Sequence, residues 1–300
     1  MCSTSIINGF QLIKQVASLN LSPRCRGVMY CYARLLILKA LRRDNVGKSS
    51  YNINYKFIFI LFILFLAVFI IIFNKRYNIT EVFAPTKELP IYSVEREDNK
   101  VSISFDAAWG DEFTYDILDT LDEYDVKATF FLVGFWVEKY PEHVKEIYKR
   151  GHEIGNHSTT HPNMSTLSRE QMAKEILVTE EKIMELINKK PILFRPPFGD
   201  YNDNLIQVLR ENGYYTIQWD IDSLDWKELG VQPVVDKVTR NIGNGSIVLF
   251  HNNAKYISEY LPLVLDRLKA SNYEIVPISE LIYLEDFQMN NSGRQIKMKK

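Results

Sequence analysis

From residue 100 onward the chain alternates short apolar runs with segments of helical periodicity, and that alternation leaves few folds open to it. Strands are expected over 101–105 (VSISF), 128–133 (ATFFLV), 153–156, 192–195, 214–219, 246–250 (SIVLF), 273–276 and 278–284. Helices are expected between them, over 113–124, 141–150, 168–187, 202–212, 233–242 and 257–270. Several of these bounds have local causes. Pro141 suits a first helical turn, Gly151 and Gly213 suit helix ends, and Ser168 with Gln171 forms a capping box. Apolar strands separated by helices of about 10–15 residues argue for a parallel sheet covered by helices, closed into an α/β barrel.

Reactive side chains fall at the ends of those strands. Asp106, His157, Arg195, Asp220 or Asp222, and His251 each come at or just after the C-terminal end of an expected strand. In a parallel barrel all those ends open on one face, where active sites are built. His157 and His161 also lie four residues apart. If the loop makes a single helical turn they share a side, the arrangement in which two imidazoles hold one metal ion. Ser158 stands where a zinc protease helix has its catalytic glutamate, which excludes that chemistry.

The N-terminal part is of another kind. Residues 57–73 read FIFILFILFLAVFIIIF, seventeen apolar residues flanked by Tyr55, Lys56, Lys75, Arg76 and Tyr77. This matches a short transmembrane helix with interfacial anchors, and the absence of a small-x-small pattern after it favours an uncleaved signal anchor. Residues 1–56 hold nine Lys or Arg against one acid, whereas 57–300 hold 27 basic and 36 acidic residues, a net of −9. The basic excess places 1–56 in the cytoplasm and the rest outside. Cys2, Cys25 and Cys31 all fall on the cytoplasmic side, so the outer part needs no disulfide. An acidic folded part argues against a nucleic-acid partner. The expected organisation is a basic segment over 1–56, the span 57–73, a stalk over 74–99, one α/β domain over 100–287 and a polar tail over 288–300.

Five motifs, in order, resemble those of the polysaccharide deacetylase family, the NodB-like enzymes of carbohydrate esterase family 4. They are Ser104-Phe105-Asp106, His157-Ser158-Thr159-Thr160-His161-Pro162, Arg195-Pro196-Pro197-Phe198-Gly199, Asp222-Ser223-Leu224-Asp225-Trp226 and Val248-Leu249-Phe250-His251. The resemblance covers about residues 100–285 and implies a distorted (β/α) barrel. It implies Asp106 as general base, held by Arg195, and His251 as general acid. It implies His157 and His161 as the metal pair, with zinc the expected ion. Hydrolysis of an N-acetyl amide needs these parts: a Lewis acid, a base for water and an acid for the leaving amine. A carboxylate beside His251, Asp225 in preference to Asp222, would keep the imidazole protonated. Trp226, Pro197, Phe198 and Tyr201 are the expected substrate-binding residues, whereas Trp109 and Trp136 are expected to pack, His143 to lie on the surface and His152 to close a helix end.

One position departs from the family. Its second aspartate, a metal ligand, is Ala107 here, and Asp106-Ala107-Ala108-Trp109-Gly110 resembles the spore-associated branch. The third protein ligand is therefore missing, unless Asp111 reaches in. The expected function is removal of N-acetyl groups from a cell-wall polysaccharide, with peptidoglycan the expected polymer, by a membrane-anchored enzyme acting in sporulation. The rivals are a deacetylase of another glycan such as chitin oligomers, and a catalytically weakened wall-binding protein.

Overall fold

The structure, a computed structural model, describes residues 62, 63, 65 and 88–298. The chain divides into two units, 1–83 and 84–300. Of the first, only Phe62, Ile63 and Phe65 are described, and they are helical and exposed. Among the described residues no helix is long and apolar enough to cross a membrane. The expected span over 57–73 lies, but for those three residues, outside them, as do the basic segment and most of the stalk.

The second unit is a curled, parallel α/β sheet. Its strands are β1 (Ser93–Val94), β2 (Lys100–Ala107), β3 (Thr129–Leu132), β4 (Glu153–Asn156), β5 (Leu193–Phe194), β6 (Tyr215–Thr216), β7 (Ile221–Asp222), β8 (Ile247–His251), β9 (Glu274–Ile275), β10 (Phe287–Met289) and β11 (Arg294–Lys297). The main sheet runs β6-β5-β4-β3-β2-β8-β7, every pair parallel, with β9 joined to the start of β2. The helices are α1 (Thr114–Glu123), α2 (Gly134–Lys139), α3 (Pro141–Lys149), α4 (Arg169–Ile187), α5 (Asp203–Glu211), α6 (Val231–Asn241), α7 (Ile257–Ala270) and α8 (Ile278–Leu281). α4 begins with both halves of the Ser168–Gln171 capping box in place.

β2 shows why the sheet has two unlike faces. Ile103, Phe105 and Ala107 point into the core cluster that the helices cover, where Phe105 stacks on Phe130 and Phe250 at 5.0 and 5.7 Å. Alternate residues point the other way. There Ser102 donates to the Val276 carbonyl, Ser104 to the Val248 carbonyl, and Asp106 meets Arg195. A second apolar cluster, with Phe131, Leu193, Ile217, Ile247 and Ile278 among its members, fills the concave side below them.

Two expectations change. Residues 278–284 begin with the short helix α8 rather than forming a strand, its start held by Thr129 Oγ1, which accepts from the Ile278 N–H. The expected polar tail instead supplies β10 and β11, an antiparallel hairpin that adds to β1 in a small second sheet. Its anchor is Gln295, fully buried, whose amide bonds both the N–H and the carbonyl of Tyr283.

Gly155, in β4, is there for space. A Cβ on it would stand 2.5 Å from Phe131 Cδ1 and 3.3 Å from the Leu193 carbonyl oxygen. Both neighbours belong to the packed concave core, so Gly155→Ala should cost about 1–3 kcal/mol by overpacking. Thermal unfolding should show a midpoint several degrees lower; an unchanged midpoint would contradict this account of β4.

Candidate active site

Arg195 follows β5 and is fully buried. Its Nη1 donates to Asp106 Oδ1 at 2.7 Å and its Nη2 to Ser104 Oγ at 2.8 Å, while the guanidinium lies 4.1 Å from the centroid of the Phe131 ring. Its own backbone carbonyl accepts from His157 Nδ1 at 2.6 Å. Burial, the largest single influence, would push the Asp106 carboxyl up, but Arg195, His157 and His251 together outweigh burial and hold the group below the usual carboxylate range. Asp106 is therefore an ionised carboxylate with one oxygen engaged and Oδ2 open to the cavity side.

The two histidines are not brought together by a helical turn. Ser158 and His161 both adopt left-handed backbone, at φ 68° and 57°, and the loop is clamped from outside. Glu175 of α4 accepts from the Thr159 and Thr160 N–H groups at 2.9 and 2.8 Å, and Asn156 Oδ1 accepts from the Ser158 N–H. The result places the two imidazoles edge to face, 5.0 Å between centroids. Burial lowers the pKa of His157, and burial with the neighbouring His157 lowers that of His161 to about 4. Both rings are neutral near pH 7.

This arrangement bears on a metal ion. A carbonyl only accepts, so His157 Nδ1 carries the hydrogen and Nε2 carries a lone pair. That lone pair faces Asp106 Oδ2 across 3.5 Å, two acceptors toward one another, a gap that a cation would satisfy. Among the described residues, however, no group of three or more His, Cys, Asp or Glu is placed to hold a metal. Ala107 is buried in the helix-side core, and Asp111 bonds His143 Nε2 at 2.9 Å instead of turning inward. The donors fit a divalent ion as two neutral imidazoles, one protein ligand short of the three a catalytic zinc takes.

The other half is His251, the last residue of β8 and the direct register partner of Asp106 on β2. Its Nδ1 lies 2.7 Å from Asp225 Oδ1. Burial alone would lower its pKa, but the Asp225 carboxylate, with Asp106 and Asp222 adding to it, more than compensates and raises it. The Asp222 carboxylate accepts from the Leu224 N–H, and Asp220 accepts from Ser246 Oγ and the Ile247 N–H, so neither takes the place of Asp225.

Asp106, His157, His161 and His251 line one cavity of about 520 Å³ whose walls include Trp109, Phe198, Trp219 and Trp226. Trp109 does not pack as expected: it is 56% exposed, with its ring 5.0 Å from that of His161. Phe198 and Trp226 are 66% and 56% exposed, and Phe198 reaches His161 at 4.5 Å from a left-handed backbone conformation. Pro197 and Tyr201 do not line the cavity; Pro197 is buried and Tyr201 bonds the Tyr92 hydroxyl at 3.2 Å. Trp136 is buried, with Nε1 donating to the Gly110 carbonyl, and His143 is tucked against it rather than lying free on the surface. His152 is buried, its Nδ1 accepting from the Ala128 N–H. A larger cleft, about 920 Å³, lies beside Arg96 and Tyr283 and has no histidine in its lining.

The model of the polysaccharide deacetylase family matches residues 93–217. A peptidoglycan-N-acetylglucosamine deacetylase of Bacillus cereus is 37% identical over 196 residues, 64% of this chain and 92% of that protein. This chain belongs to the polysaccharide deacetylase family. The peptidoglycan-N-acetylglucosamine deacetylase PgdA of Listeria monocytogenes is 35% identical over 72% of this chain, which spans only 44% of that longer protein. Among solved structures, a CE4 family pseudoenzyme from Bacillus anthracis is similar at a TM-score of 0.62 and 36% identity, covering 64% of this chain and 68% of that one. A mutant of that pseudoenzyme with restored enzymatic activity is similar to the same degree, at 37% identity.

The depressed pKa of His161 has a consequence for stability. The unfolded chain protonates this group near its ordinary value of 6.5, the folded chain only near 4. Stability is therefore full above about pH 6.5 and falls as the pH drops towards about 4. His161→Ala should flatten part of that fall in a series of unfolding midpoints; an unchanged pH dependence would contradict the burial described here.

Proposed function

We propose that the 84–300 unit hydrolyses the N-acetyl amide of amino sugars in peptidoglycan, releasing acetate and leaving a free amine. One observation carries the reading. A carboxylate kept ionised by Arg195 and an imidazole backed by Asp225 stand as register partners on β2 and β8 and open on one cavity.

Asp106 takes a proton from water through Oδ2, and the water oxygen bonds to the acetyl carbonyl carbon. Arg195 stabilises the carboxylate before the step and fixes its rotamer. As the carbon–nitrogen bond breaks, His251 gives its Nε2 proton to the departing nitrogen, while Asp225 holds Nδ1 and stabilises the charged ring. His157 and His161 would hold a divalent ion, zinc being the expected one, and such an ion polarises the carbonyl as a Lewis acid when bound. Trp109, Phe198 and Trp226 offer apolar faces to the sugar ring and the acetyl methyl group. The relatives named for peptidoglycan support the choice of polymer. The apolar run 57–73 and the basic residues before it support a single membrane anchor with this unit on the outer side.

A second reading has its own support. The third metal ligand is absent at Ala107, and a structurally similar relative is described as a pseudoenzyme. On that reading the cavity binds wall glycan and does not cleave it.

One experiment separates the two. Acetate release from peptidoglycan should be seen with the full chain supplied with zinc, should fall by about 10²–10⁴ in Asp106→Asn and His251→Gln, and should stop with a chelator. On intact cells, added protease should remove the activity. Glycan binding with no acetate release under any metal condition would overturn the deacetylase in favour of the binding protein.

A further inference from the structure

Asp225 is a carboxylate with every acceptor direction in use. Oδ1 accepts from the Trp226 N–H at 2.8 Å and faces His251 Nδ1 at 2.7 Å. Oδ2 accepts from the His251 N–H at 2.8 Å and from the Tyr260 hydroxyl at 2.8 Å. Three of these four donors belong to the turn Asp225–Lys227 or to His251 itself. The fourth comes from the first turn of α7, thirty-five residues away in the chain. Asp225 is 3% exposed and Tyr260 1% exposed, so water does not substitute for either partner.

Packing alone does not call for a hydroxyl there. The Tyr260 ring stacks on Phe250 at 5.6 Å, and Phe250 stacks in turn on Phe105, so a phenylalanine would serve the core equally. A buried phenol needs an acceptor, and this one is aimed at the carboxylate behind the candidate acid. We infer that Tyr260 is a positioning residue for the His251–Asp225 pair: by donating to Asp225 Oδ2 it draws off part of the negative charge that binds the His251 imidazolium. The inference rests on the reading of His251 as the acid.

The physical consequence has a sign. Asp225 favours the protonated imidazole, and a second donor on the same carboxylate weakens that preference. Tyr260 therefore keeps the acid from holding its proton too firmly, which suits a group that must release it to the leaving nitrogen. The other charged or titratable groups facing His251 are Asp106 of β2, Asp222 of β7, and His157 and His161 from the loop after β4. None of them bonds Tyr260 or Asp225.

The test uses the full chain labelled in its five histidines, with the His251 imidazole resonance assigned by its loss in His251→Gln and titrated by NMR. Tyr260→Phe should raise the His251 pKa by about half a unit to one unit, and Asp225→Asn should lower it. The alkaline limb of kcat against pH for acetate release should move with it in Tyr260→Phe. A His251 titration that is unchanged or falls in Tyr260→Phe would overturn the inference. A wild-type chain that releases no acetate, yet shows the upward shift in Tyr260→Phe, would remove the deacetylase reading and leave the role of Tyr260 standing.

Discussion

A guanidinium sealed from water holds three parts of this molecule in register. Arg195 binds Asp106 and Ser104 of β2 through its side chain and the His157 ring through its backbone carbonyl, while Phe131 of β3 lies under its plane. Removing one partner of a buried pair of this kind strands the other charge, at a cost of about 3–5 kcal/mol. The arrangement is not free of strain: Arg195 Nε is buried with no hydrogen-bond partner among the described residues. One residue thereby favours the ionised base and fixes the tautomer of the neighbouring imidazole.

The acid half is built separately. His251 depends on Asp225, and Asp225 on its own turn and on Tyr260 of α7. The two halves meet because β2 and β8 are adjacent and in a register that opposes Asp106 to His251. Ionisation of each half can thus be altered without dismantling the other. The aromatic rim is a third layer, carried on loops: Trp109 after β2, Phe198 after β5 and Trp226 after β7.

Residues that do chemistry are more legible in the sequence than those that support them. Strand alternation puts Asp106, His157, Arg195 and His251 at strand ends, because reactive groups interrupt apolar runs at those points. The short range between Asp225 and His251 depends on a turn that spacing alone suggests but does not determine. Tyr260 leaves no trace, since a tyrosine on the apolar stripe of a helix looks like core, and Glu175 looks like any solvated helix charge. Trp109 departs from what its residue type suggests: its loop is fixed by Trp136 Nε1 and Asn252 Nδ2, both donating to the Gly110 carbonyl, and this leaves the indole exposed beside His161. The hairpin over 287–297 is hidden because its strands are short and polar, and they pair with another edge segment rather than with the main sheet.

The most direct measurement is a double-variant cycle on unfolding free energy with Asp106→Asn, Arg195→Met and the two combined. If the buried pair organises the site, the double variant should be more stable than the sum of the single losses predicts, by about 1–3 kcal/mol. Losses that add to within about 0.5 kcal/mol would show that Arg195 and Asp106 act independently, and would contradict the account.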